Sequence, residues 1–187
     1  MILIALEAGL RIGEILGLQA GDFDFESSHI CIERQWLDKE QKYGPPKHRI
    51  RRYVPMSEGV RATMLDLVKL KTPKAPIFVN SRGMPWRQSS VFDLVKEITT
   101  DAIGRGLGMH SFRRTFGSWY MRIHDDMWTL SRLMGHANIE TTKKYCHHGL
   151  GHKAPALNIT PFSRQGLSKN LDKGVNTACY DGARSET

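Results

Sequence analysis

Two histidines, an arginine and a tyrosine stand at spacings that bring titratable groups side by side in the second half of this 187-residue chain. His110 and Arg113 are three residues apart and share one face of any helix that carries them. His136 follows Gly135, a helix-ending glycine, and Tyr145 comes nine residues later, about two turns along a new helix expected to be capped by Asn138. A phenol becomes a nucleophile once it sheds a proton held with a pKa of about 10, and neighbouring bases or cations assist that loss. Each feature alone has an ordinary reading. Tyr145 is then an amphipathic side chain with its ring in the core, and His110 with Arg113 is a solvated or structurally hydrogen-bonded pair. Weight comes from two cations upstream, Arg11 at a break in the first helix and Lys47 just after a β turn.

The elements that must position these groups begin with an apolar helix. Ile2, Leu3, Leu6 and Leu10 make a buried face, Gly9 interrupts it, and Ile12, Ile15, Leu16 and Leu18 resume at helical spacing until Gly21-Asp22. A β region follows. His29–Arg34 alternates as a strand, Tyr43-Gly44-Pro45-Pro46 reads as a turn, Arg52–Pro55 returns, and the apolar Ala75–Asn80 is expected to be a third strand. Between the last two, Ser57 and Glu58 start a helix with Val60, Met64, Leu67 and Val68 on one face. From Ser89 the pattern is helical, with a capping box expected at Ser90–Asp93. The link Gly104-Arg105-Gly106-Leu107-Gly108 lacks the Gly-Lys-Ser/Thr ending of a phosphate-cradling loop. Beyond it, Phe112, Phe116 and Trp119 are expected to face inward, and Asp125 or Asp126 to cap the helix that ends at Gly135. Residues 149–187 have no sustained periodicity and read as a flexible C-terminal tail.

Lysine and arginine outnumber aspartate and glutamate by 27 to 19, a net charge of +8, which makes a polyanion, nucleic acid first, the leading partner. A basic enzyme without such a partner fits the charge about as well. Three unpaired-looking cysteines exclude a disulfide framework and a zinc ribbon and fit a reducing, intracellular setting. The apolar start is far short of a membrane span and has no basic leader.

Four segments carry a family resemblance. They are Ala8-Gly9-Leu10-Arg11-Ile12-Gly13-Glu14-Ile15-Leu16-Gly17-Leu18, Lys47-His48-Arg49-Ile50-Arg51-Arg52-Tyr53-Val54-Pro55, His110-Ser111-Phe112-Arg113-Arg114-Thr115-Phe116, and Met134-Gly135-His136 through Tyr145. In this order and spacing they resemble the catalytic domain of the tyrosine recombinase, or phage integrase, family over residues 1–148. The resemblance implies a mainly α fold with a small three-stranded antiparallel β-sheet, an α+β domain. It also implies that the family's first catalytic-domain helix and separate N-terminal DNA-gripping domain are missing here. Arg114 stands where the family often has histidine.

By resemblance, Arg11 and Arg113 clamp the non-bridging oxygens of a phosphodiester, where always-charged bidentate donors suit the charge that grows during displacement. His136 adds a hydrogen bond, His110 gives acid–base or hydrogen-bonding support, and Tyr145 is the nucleophile. Lys47 is the general acid for the leaving 5′ oxygen, preferred over Lys39 and Lys42 for its spacing to Arg52–Pro55. Glu14 supports its neighbours or is a solvated helix carboxylate. The implied partners are double-stranded DNA and other protomers on paired sites, with no membrane, no cofactor and no metal, in the cytoplasm of a bacterium or of phage origin. His147, His148 and His152 with Cys146 are read as a basic tail segment rather than a metal site. A catalytically silent DNA-binding remnant is the alternative.

Overall fold

The computed structural model describes residues 1–146. The expectations for the tail, and for His147, His148 and His152, lie outside the described residues.

The first helix breaks where glycine permits it. Helix α1 (Ile2–Glu7) ends before Gly9, whose φ of +65° turns the chain, and α2 (Ile12–Leu16) restarts with Arg11 in extended conformation at its N-cap. The carboxylate of Glu14 accepts the Arg11 backbone N–H at 2.9 Å, closing the α2 N-terminus. Ile4, Ala5, Leu10, Ile15, Leu16 and Leu18 join the core from this segment. α1 packs on α5 (Met109–His124) and α3 (Glu58–Val68).

Alternation sets the sheet. β1 (Phe23–Asp24), β2 (His29–Ile32) and β5 (Arg52–Pro55) form an antiparallel sheet in the order β1-β2-β5, with Ile30 opposite both Phe23 and Val54. Ile30, Ile32, Phe23 and Val54 turn inward, and so does Arg52, which pairs in register with Ile32. The third strand is therefore Phe23–Asp24 and not Ala75–Asn80. The latter runs past the end of α2 with isolated bridges from Pro76 to Gln19 and Val79 to Pro85, and neither bridging proline has an N–H to extend a ladder. The expected turn at Tyr43–Pro46 is also displaced. β3 (Gln35–Leu37) pairs with β4 (Lys42–Gly44), so the chain reverses at Asp38–Gln41, where Gln41 takes a positive φ. Lys47–Arg49 form a short 3₁₀ turn leading into β5.

The helical half follows its caps. Ser57 Oγ accepts from Val60 N and starts α3, and Asp126 accepts from Thr129 N at 3.0 Å to start α6 (Met127–Met134). α4 (Gln88–Ile103) begins at Gln88 behind Arg87, ahead of the expected capping box, and buries Val91, Val95 and Thr99. On α5 the buried stripe is Met109, Arg113, Phe116, Gly117, Tyr120 and Met121, so Phe112 and Trp119 are only half-buried. The stripe is rotated from the aromatic one because Arg113 and Gly117 face inward. α7 (Glu140–Lys143) is a single turn: Asn138 Oδ1 accepts from Glu140 N at 2.9 Å, and Tyr145 lies just past the helix rather than two turns along it.

Helix α6 hands the chain to Gly135 and His136, so its N-terminal cap bears on where both residues sit. Asp126→Ala is expected to cost about 1 kcal/mol of stability, read as a lower urea midpoint with an unchanged slope in an equilibrium melt.

Candidate active site

The C-terminus of α6 leaves backbone carbonyls with no helical partner. Gly135, at φ +62°, ends the helix in the left-handed region that glycine adopts without steric cost, and so turns those carbonyls toward α2 and α5. Three guanidiniums take them. Arg52 Nε donates to Leu133 O at 2.8 Å; Arg11 Nη1 and Arg113 Nη2 both donate to Met134 O, at 3.1 and 2.7 Å; Arg11 Nη2 donates to Gly135 O at 3.0 Å. Arg113 Nη1 also donates to the carbonyl of Gly9, at the break between α1 and α2. Cations at this end also meet the negative pole of the helix.

One carboxylate balances them. Glu14 is 0% exposed and receives Arg52 through both oxygens, Nη1 to Oε1 at 3.0 Å and Nη2 to Oε2 at 2.7 Å. Arg11 Nη1 reaches Oε1 at 3.1 Å. Burial pushes the Glu14 carboxyl up, but the hydrogen bond and charge of Arg52 with the contacts from Arg11 outweigh it and hold the pKa below the usual value. Glu14 is therefore buried against Arg11 and Arg52 and is not a solvated helix carboxylate.

His136 sits against the arginines. Arg113 Nη2 lies 3.2 Å from Nε2, and Thr142 Oγ1 lies 2.8 Å from Nδ1. A guanidinium only donates, so Nε2 accepts and Nδ1–H donates to Thr142. Burial first, then Arg113 and Arg11, lowers the His136 pKa to about 3, so the ring is neutral at pH 7. The sequence expectation that His136 offers a proton to an anion requires the other tautomer, with Thr142 turned to donate.

Tyr145 lies parallel to His136, ring centroids 6.5 Å apart and planes 4° apart, and is 3% exposed. Its other neighbour is Gly117 on α5: a Cβ there would stand 2.8 Å from Tyr145 Cε1 and 2.9 Å from Cδ1. Any larger residue would displace the ring. Lys144 Nζ lies 5.2 Å from the ring centroid. Burial pushes the phenol pKa up, Arg113, Arg114 and Arg11 pull it down, and burial prevails. The cationic surroundings alone do not ionise it.

Arg11, Arg113, His136, Tyr145 and Glu14 are thus brought together from parts of the chain more than 120 residues apart. His110 is on the exposed first turn of α5, one turn before Arg113, and Lys47 is exposed on the turn before β5. No hydrogen bond among the described residues ties either to the cluster. Arg52, Thr142 and Gly117 were not singled out from sequence. Arg52 carries a signal, since it alternates inward with Val54; Gly117 is a glycine inside a helix; Thr142 has none. Among the described residues no three of His, Cys, Asp or Glu are grouped to hold a metal, and no helix is long and apolar enough to cross a membrane.

The model of the phage integrase family matches residues 1–151. The chain is 31% identical over 147 residues to a tyrosine recombinase XerC of Pelobacter propionicus, covering 76% of this chain and 45% of that one. To the transposase from transposon Tn916 of Enterococcus faecalis it is 32% identical over 167 residues, covering 79% and 41%. The chain spans about half the length of the curated relatives it matches, 48% for the XerC of Thermodesulfovibrio yellowstonii. The Tn1549 transposon integrase, solved in complex with a circular intermediate DNA, superposes with a TM-score of 0.66 at 26% identity over 77% of this chain and 52% of that one. The XerA recombinase shares the fold, with a TM-score of 0.62 at 22% identity over 89% of this chain and 53% of that one.

His136 gives the fold a pH dependence of definite sign. Unfolded, the ring takes a proton near 6.5; folded, near 3. The unfolded state therefore binds the proton first as pH falls, so the stability tied to neutral His136 is present above about 6.5 and is lost toward pH 3. Urea midpoints are expected to drop between pH 7 and pH 5, and to drop less in His136→Gln. Equal drops would sink the assignment.

Proposed function

Because this chain belongs to the phage integrase family, we propose that it holds the strand-cleaving and rejoining centre of a tyrosine-type site-specific DNA recombinase. The observation that carries this reading is the convergence of Arg11 and Arg113 on the single carbonyl of Met134, with His136 on Arg113 and Tyr145 beside His136.

The two guanidiniums receive the non-bridging oxygens of a scissile phosphate. Their charge opposes the negative charge that grows as the phosphorus gains a fifth oxygen. Burial, then Arg11, lowers the pKa of Arg113 to about 10, still far above neutrality, so the clamp stays cationic. Tyr145 Oη attacks phosphorus, the bond to the 5′ oxygen breaks, and the phenolic proton passes to a base. His110, on the exposed turn next to Arg113, is that base in this reading, since burial leaves the phenol above its ordinary pKa. Lys47 gives a proton to the departing 5′ oxygen, moving in on its exposed turn. His136 then supports the phosphate from Nε2 after its tautomer switches. The product is a 3′-phosphotyrosine and a free 5′ hydroxyl. The ester keeps roughly the energy of the bond it replaced, so a second strand's 5′ hydroxyl reverses the step and rejoins the DNA.

In this reading residues 1–148 are the catalytic domain and residues 149–187 a C-terminal tail, and the protein works in the bacterial cytoplasm with further protomers on paired double-stranded sites. The basic surface of the chain is expected to hold DNA in a salt-sensitive way. With about five phosphate contacts, log affinity is expected to fall with a slope near −4.5 against log salt; a slope near zero in a fluorescence titration contradicts this.

Nicked duplexes from the DNA flanking its own gene provide the decisive test. A protein–DNA adduct that survives denaturing electrophoresis and EDTA is expected from the intact chain, and none from Tyr145→Phe. Salt-sensitive binding with no adduct from any such duplex would favour a silent DNA-binding remnant.

A further inference from the structure

Each of the three guanidiniums at the end of α6 has three of its five N–H donors in use, but on different nitrogens and partners. Arg11 spends both Nη1 hydrogens, on Glu14 and Met134 O, and one Nη2 hydrogen on Gly135 O. Its Nε and second Nη2 hydrogen have no partner among the described residues. Arg52 is buried and anchors each of its three nitrogens on Glu14 or Leu133 O, whereas Arg11 is part-exposed and leaves its Nε free.

Glu14 shows the complementary pattern. A carboxylate has about four lone-pair sites. Oε1 takes Arg11 Nη1 and Arg52 Nη1; Oε2 takes Arg52 Nη2 and the Arg11 backbone N–H. Arg52 thus fills two of the four. With Arg52 gone, a carboxylate that is 0% exposed has two open sites, and the guanidinium already in contact with it is Arg11, which has donors to spare.

We infer that Arg52 is a positioning residue which, by occupying both oxygens of Glu14, keeps that carboxylate from closing on Arg11 and so leaves the Arg11 guanidinium open to the phosphate. This role rests on the phosphate clamp proposed above for Arg11 and Arg113. It is distinct from plain support of the fold. Support alone acts on stability, where the double loss is also milder because it leaves no unpaired buried charge, so rates are compared on variants shown to be fully folded at the assay temperature. Protection of Arg11 from Glu14 makes the double loss milder, because the neutral amide introduced by Glu14→Gln no longer competes for Arg11.

The test is the order of three rates in single-turnover cleavage at saturating DNA, with affinity measured separately. Arg52→Gln is expected to cleave about 100-fold slower than the native chain, the scale for misplacing one stabilising donor, while DNA affinity changes little. Glu14→Gln/Arg52→Gln is expected to recover most of that loss. A double variant as slow as the single overturns the inference. Should Arg52→Gln fail to fold by circular dichroism, Arg52→Lys, which keeps the charge but loses the two-pronged grip, takes its place in the same comparison. Should the native chain give no adduct at all, the cleavage reading fails, and inorganic phosphate titrated against the Arg11 Nε–H NMR resonance decides the present point. Weaker phosphate binding in the single variant, restored in the double, sustains it; unchanged binding in both overturns it.

Discussion

The structure depends on how the last turn of α6 is satisfied. A helix end left bare inside a protein costs free energy for each unpaired carbonyl. Here the carbonyls of Leu133, Met134 and Gly135 are met by Arg52, Arg11 and Arg113, which come from the strand, the first helix break and α5. The same hydrogen bonds therefore close the fold and aim the cations. Arginine suits this task because its planar fork grips a carbonyl with one prong and leaves others for a ligand.

Gathering like charges has its own cost. Burial and the field of Arg11 both act against the charge on Arg113, and the same surroundings keep His136 neutral. Glu14 offsets part of this from the centre of the group, where its burial would otherwise be prohibitive. The result is a net cationic cluster that lacks a second negative group among the contacts described; in the reading proposed above, a phosphodiester supplies that charge. The phenol of Tyr145 is held above its ordinary pKa, because burial outweighs the arginines around it.

Much of this was legible in the sequence where a residue's type has a local consequence. Gly9 and Gly135 as breaks, Ser57 and Asp126 as caps, and the inward alternation of the strands all follow from backbone chemistry within a few residues. The errors arose where partners are distant or the local signal is weak. Ala75–Asn80 has strand composition but forms isolated bridges, at Gln19 and Pro85, in place of a ladder, and the two-residue strand Phe23–Asp24 is too short to show a period. Arg11, Arg113, His136 and Tyr145 were recognisable as a set. That Arg113 turns inward on α5, displacing the aromatic stripe, depends on the carbonyls of Gly9 and Met134, which no sequence pattern displays. Thr142 was invisible for the same reason: its value lies in a single hydrogen bond to His136.

Met134 O, the oxygen shared by Arg11 and Arg113, lies 123 residues from one and 21 from the other. A nascent or partly folded chain holds the same arginines, yet without that oxygen nothing sets the gap between them. The centre consequently has no half-built form. In the reading proposed above, competence to cut therefore requires that the helix break at Arg11 and the end of α6 have already met.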